Sequence, residues 1–173
     1  MSAISKDDVL NLREKTGAGL IDCKRALVES AGDLDEAVSI LRKKGVASAA
    51  KKAGRDAGEG IIAQCVSADK SKGVLVEVNC ETDFVAKNED FVAFANGVAQ
   101  RLLDEPEADL ESERTEQVAK IGENIRISRS QALEPKDNGL VESYVHTGAK
   151  VAVLLSMGTG SSSASADSKV LSL

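Results

Sequence analysis

Near residue 59 the apolar residues of this chain change their spacing, and that change constrains the fold more than any other feature. Before it they recur every three or four positions, the period of a helix laid on a core. After it they alternate, the period of a half-buried strand. In the first part, Ser5 stands three residues before Asp8, a capping spacing that predicts a helix through Lys15 with Val9 and Leu12 on one face. Thr16-Gly17-Ala18-Gly19 breaks it. A second helix is expected from Leu20 to Ser30, with Leu20, Cys23 and Leu27 on one stripe and Gly32 as its left-handed stop. Asp33 and Glu36 repeat the capping spacing, Leu34, Ala37, Val38 and Leu41 supply an apolar face, and Arg42, Lys43 and Lys44 suit a helix C-terminus before Gly45. Residues 1–45 therefore read as a three-helix module. The Ala- and Lys-rich residues 46–58 read as a helical linker.

In the second part, 61–66 and 74–80 are β-rich runs around a polar loop, which predicts a hairpin. Val74, Val76, Val78 and Cys80 share one face of its second strand, opposite Leu75, Glu77 and Asn79. Phe91, Phe94, Val98 and Leu102 then keep helical spacing behind an expected Asp90 cap. Residues 104–116 are charged and mostly acidic, readable as a loop and a short solvent helix. Extended runs follow at 125–130 and 140–157, the latter broken at Gly148, with a turn at 134–139 between them. The fold class expected is α+β: the helical module, the linker, then a core over 59–157 of about four antiparallel strands with helices on one face.

Composition narrows the function. Aromatic residues make up 2% of the chain, as Phe84, Phe91, Phe94 and Tyr144, so an exposed ring needs a reason. A net charge of -6 repels polyanions, so a protein or small molecule is favoured over nucleic acid as primary partner. The lysine pairs Lys43-Lys44 and Lys51-Lys52, with Arg55, are the one feature on the side of RNA. Cys23, Cys65 and Cys80 form no CxxC pair and His146 is the only histidine, so neither metal nor cofactor is expected. The opening MSAISKDD has no signal-peptide character and no long apolar run follows, which points to a cytoplasmic protein without membrane contact.

No catalytic constellation emerges. Gly17-Ala18-Gly19 precedes a helix but lacks the lysine of a phosphate loop, and fits an interhelical turn better. His146 beside Tyr144 has no sequence-local nucleophile or carboxylate to serve, and fits a structural or interface histidine. The stretch that stands out is 80–88, where a strand ends in Cys80-Glu81-Thr82-Asp83-Phe84. Two readings fit it. Thr82 or Asp83 caps a helix with Phe84 packed beneath, or Asp83 and Phe84 stand on a strand-to-helix corner and present a carboxylate and a ring to a partner.

Two stretches resemble the elongation factor Ts family closely. One runs from Leu12-Arg13-Glu14 through Thr16-Gly17-Ala18-Gly19-Leu20-Ile21-Asp22-Cys23 to Leu27, and is similar to the family's amino-terminal module of the ubiquitin-associated type. The other is Glu77-Val78-Asn79-Cys80-Glu81-Thr82-Asp83-Phe84-Val85-Ala86-Lys87-Asn88. Lys120-Ile121-Gly122-Glu123-Asn124-Ile125 and Tyr144-Val145-His146-Thr147-Gly148 are weaker matches. The resemblance implies a guanine-nucleotide exchange factor, without covalent chemistry, that binds GDP-bound and nucleotide-free elongation factor Tu. It implies module contacts through Arg13, Leu20 and Ile21, with the apolar pair standing where the family often has methionines. Contacts through Thr82, Asp83, Phe84 and Val85, and through Ile121, Gly122 and His146 on the core surface, are implied in the same way. Long members of the family continue with a second half of the core, so residues 158–173 are expected to be the flexible Ser-rich tail of a truncated or shortened chain. A docking module without exchange activity is the alternative.

Overall fold

The computed structural model describes residues 4–136 and 138–158. Along the chain it forms α1 (Lys6–Thr16), α2 (Leu20–Glu29), α3 (Leu34–Lys52), β1 (Glu59–Val66), β2 (Gly73–Cys80), α4 (Asp83–Ala86), α5 (Glu89–Asp104), α6 (Glu111–Ile121), β3 (Arg126–Leu133), β4 (Leu140–Val145) and β5 (Ala152–Met157). The α+β class read from the sequence is the class observed. The elements divide into a helical unit, residues 4–56 and 111–125, and a sheet unit, residues 57–110 and 126–158. The expected Ser-rich tail falls, from residue 159 onward, outside the described residues.

In the helical unit the capping signals work as the sequence suggests. Asp8 N donates to Ser5 Oγ at 3.1 Å while Ser5 N donates to Asp8 Oδ2 at 2.9 Å, so two orphan amides at the start of α1 are satisfied reciprocally. Glu36 N donates to Asp33 Oδ1 at 2.9 Å at the start of α3. Gly17, at φ 65, ends α1 in the left-handed conformation that a side chain would strain. Leu12, Cys23, Ala26, Leu27 and Ala37 are fully buried and form the core between α1, α2 and α3. Leu20, expected on the buried stripe with Cys23 and Leu27, is instead 44% exposed.

The stop expected at Gly45 does not occur, and the first part of the expected 46–58 linker is a continuation of α3 as far as Lys52. Gly45 is buried against α6, where an added Cβ would lie 3.4 Å from Ala119 Cβ. A glycine inside a helix costs about 1 kcal/mol relative to alanine, and here it lies in contact distance of a neighbouring helix. The acidic stretch is likewise corrected. Its second half opens an 11-residue helix that runs on to Ile121 with Val118 fully buried, and Arg114 secures it by donating to Ile125 O at 2.9 Å.

The sheet unit is built on the predicted hairpin. β1 and β2 pair antiparallel from Glu59↔Cys80 to Val66↔Gly73, and β3 adds to the far side of β2 with a bulge between Glu77 and Val78. The order is β1-β2-β3, while β4 and β5 form a second, two-stranded sheet, so the described residues hold five strands where about four were expected. Val74, Val76, Val78 and Cys80 are all buried, as their alternation requires, beneath Phe91, Ala95, Val98 and Leu102 of α5. β4 and β5 pack on the same strands, and they come close at Gly73: a Cβ there would meet Val141 Cγ1 at 2.7 Å and Leu154 Cδ1 at 2.8 Å. Only glycine admits that approach.

Gly97 is different: it lies exposed inside α5, and a Cβ would meet nothing within 4 Å. Gly97→Ala is therefore expected to stabilise the sheet unit by about 0.5 to 1 kcal/mol, seen as a higher denaturation midpoint at an unchanged slope. An unchanged or lower midpoint would show that this turn of the helix is not free of constraint.

Candidate functional site

β2 ends at Cys80, and the chain turns into a single helical turn before the long α5 begins. Three local interactions make that turn firm. Thr82 Oγ1 accepts from Val85 N at 3.3 Å and caps α4. The Cys80 thiol donates to the Thr82 carbonyl at 3.2 Å. Asn88 Oδ1 accepts from Asp90 N at 2.9 Å and Phe91 N at 3.3 Å, so the cap of α5 is Asn88 and not the expected Asp90. Between the two caps Ala86 is buried, which anchors the turn on the sheet.

Of the first reading of 80–88, the Thr82 cap is observed and the packed ring is not. Phe84 does not pack beneath the helix; it is 81% exposed, the most exposed large apolar side chain of the described residues. Leaving such a ring in water forgoes about 2 kcal/mol of burial free energy. Asp83, beside it, is also exposed and accepts from Lys87 Nζ at 2.8 Å across one turn. The Lys87 ammonium holds the Asp83 carboxyl below its ordinary value. Val85 is half-buried.

His146 lies in the turn between β4 and β5, exposed, with Nδ1 2.9 Å from the Tyr144 hydroxyl. That turn docks at the same end of the sheet as the Phe84 corner. Ile62 N donates to Ala149 O at 2.7 Å, and Lys150 Nζ pairs with Glu59 Oε2 at 2.5 Å, where Glu59 is the register partner of Cys80. The fold thus brings the 80–88 stretch and the His146 turn together, which sequence spacing alone does not reveal.

The remaining candidates belong to the helical unit. Arg13 is exposed on α1, and Leu20 and Ile21, 44% and 68% exposed, open α2. Ile121, half-buried, ends α6, and Gly122 follows in the left-handed region at φ 89. These two were expected on the surface of the sheet core, yet the chain returns to the helical unit to place them. There a Cβ on Gly17 would lie 3.3 Å from Lys120 Cδ, so the α1–α2 turn and the end of α6 are neighbours. Residues about a hundred positions apart form one surface. Lys87 and Asn88 were absent from the candidate set, although the Asp83–Lys87 spacing of four was a legible signal.

Among the described residues no group of three or more His, Cys, Asp or Glu is placed to hold a metal ion, and no helix is long and apolar enough to cross a membrane. Cys23, Cys65 and Cys80 form no disulfide, and burial pushes the Cys23 and Cys65 thiols up.

The geometry defines an α+β protein with candidate contact residues, exposed or half-buried, on each of its two units. Comparison with known proteins gives the family. Residues 81–171 match the family described as Elongation factor TS. The chain is 46% identical over 166 residues to an elongation factor Ts of Clostridium botulinum, covering 88% of this chain and 54% of that protein. It is 45% identical over 174 residues to that of Aquifex aeolicus, covering 88% and 59%, and 46% identical over 172 residues to that of Hydrogenovibrio crunogenus, covering 91% and 58%. The chain belongs to the elongation factor Ts family, and it spans a little over half the length of these relatives.

Proposed function

We propose that this chain is a cytoplasmic guanine-nucleotide exchange factor that docks on elongation factor Tu and promotes release of GDP without covalent chemistry of its own. The observation that carries the reading is the exposed Phe84 on a turn clamped between two caps. A GTPase holds GDP through a magnesium ion, a phosphate-cradling loop and mobile switches, so a stiff apolar wedge that displaces those elements weakens the nucleotide without touching its base or ribose. The family resemblance of Asp83 and Phe84 supports that placement. Leu20 and Ile21, with Arg13, anchor the helical unit, and Ile121 and Gly122 extend the same surface. The net charge of -6 favours this protein partner over RNA.

Linkage gives the test. If the chain weakens GDP binding by some factor, GDP weakens binding of the chain by that same factor. Calorimetric titration into nucleotide-free and GDP-bound elongation factor Tu is expected to show tighter binding to the nucleotide-free form. Equal affinities for the two forms would contradict exchange, and would leave a docking module.

A further inference from the structure

We propose that Lys87 is a positioning residue for the Phe84 corner, holding the Asp83 carboxylate beside the ring in the geometry in which a partner meets it. The inference rests on the reading of the corner as the partner-contacting wedge. Asp83, Phe84 and Lys87 occupy one turn, the acid four residues ahead of the base, which is the favourable order for a helical pair. Both side chains are largely exposed, at 50% and 75%, so the contact adds little to folding. Its effect is on where the carboxylate points. Without the ammonium, an exposed aspartate in the first turn of a helix is free to sample other rotamers, and the helix amides compete for it.

Lys87 stands among other charges. The charged side chains on the elements packed against α4 are Glu59 of β1, Glu77 of β2, and Glu89, Asp90, Arg101 and Asp104 of α5. The Asp83 carboxylate, with a smaller contribution from the Glu59 charge, holds the Lys87 ammonium above the ordinary lysine value. Glu59 also pairs with Lys150 of the His146 turn. Glu77 pairs with Arg129, and Arg101 with Glu105, so those charges are committed elsewhere. Lys150, Glu59, Lys87 and Asp83 thus alternate in charge between the His146 turn and the Phe84 corner. The pairing is present above the folded-state pKa of Asp83 and is lost as pH falls through it, because that pKa is depressed.

Two measurements on the full chain test this, using wild type, Lys87→Met, Lys87→Arg, Asp83→Asn and the Asp83→Asn/Lys87→Met double variant. The first is the titration of the Asp83 carboxyl carbon by NMR. Its midpoint is expected below the usual aspartate range in wild type, within that range in Lys87→Met, and low again in Lys87→Arg. The second is GDP release from elongation factor Tu. Lys87→Met is expected to lower the saturating rate by about threefold with Lys87→Arg restoring it, and to add nothing in the Asp83→Asn background. An unchanged Asp83 midpoint in Lys87→Met would overturn the proposal whatever the exchange assay shows, and so would a loss that persists undiminished without Asp83. If the wild-type chain releases no GDP, the exchange reading fails, while the NMR titration still decides whether Lys87 holds Asp83.

Discussion

Replacing Phe84 by alanine is expected to lower the saturating rate of GDP release from elongation factor Tu by about 30-fold while leaving the chain folded. A central aromatic of an interface contributes on the order of 2 kcal/mol or more when truncated, which is the size of that change. The same ring is 81% exposed in the free chain, so its removal takes almost nothing from the fold. Thermal melting should therefore shift by an amount corresponding to about 0.5 kcal/mol at most. Stopped-flow release of a fluorescent GDP analogue measures the first quantity and circular dichroism the second. A full exchange rate in Phe84→Ala would remove the wedge from the account. A large loss of stability would instead show that the ring packs on the protein.

Phe91 stands seven residues further on and should behave in the opposite way. It is fully buried beneath the Asn88 cap, facing the valines of β2, and is among the largest side chains of the core. Phe91→Ala removes a whole ring from close packing, and a cost of about 3 to 5 kcal/mol is expected. For a unit of this size that lowers the melting temperature by on the order of 15 to 30 °C. It is a large share of the roughly 5 to 15 kcal/mol that holds a typical domain together. A melting temperature within a few degrees of wild type would contradict the placement of Phe91 in the core. The contrast between these two phenylalanines separates packing from presentation.

Much of this arrangement was legible in the sequence. Ser5 with Asp8 and Asp33 with Glu36 mark two helix starts because the caps are local, completed within four residues. The strict alternation from Val74 to Cys80 marks β2 and its buried face for the same reason. Two of the misreadings depend on what comes from far along the chain. Gly45 reads as a stop until α6 is laid against it, and α6 reads as a solvent helix because only Val118 and Thr115 are buried on it. Leu20 fits the stripe of Cys23 and Leu27, but it lies in the first turn of α2, where the stripe runs out of core.

The site was legible in part. The stretch around Asp83 and Phe84 stands out locally, yet its pattern fits a buried ring as well as an exposed one, and it is the packing of the short turn on the sheet, with Ala86 buried and Phe84 exposed, that distinguishes them. The meeting of the His146 turn with β1 comes from the register of two sheets, and the meeting of Gly17 with Lys120 from a helix contributed late in the chain. No local pattern encodes either.

The central claim is that a chain of this length opens the nucleotide site of elongation factor Tu. The most direct test is stopped-flow release of a fluorescent GDP analogue from purified elongation factor Tu at increasing concentrations of the chain. The expected result is an acceleration that rises and saturates. A release rate that stays at its spontaneous value at every concentration would contradict the claim.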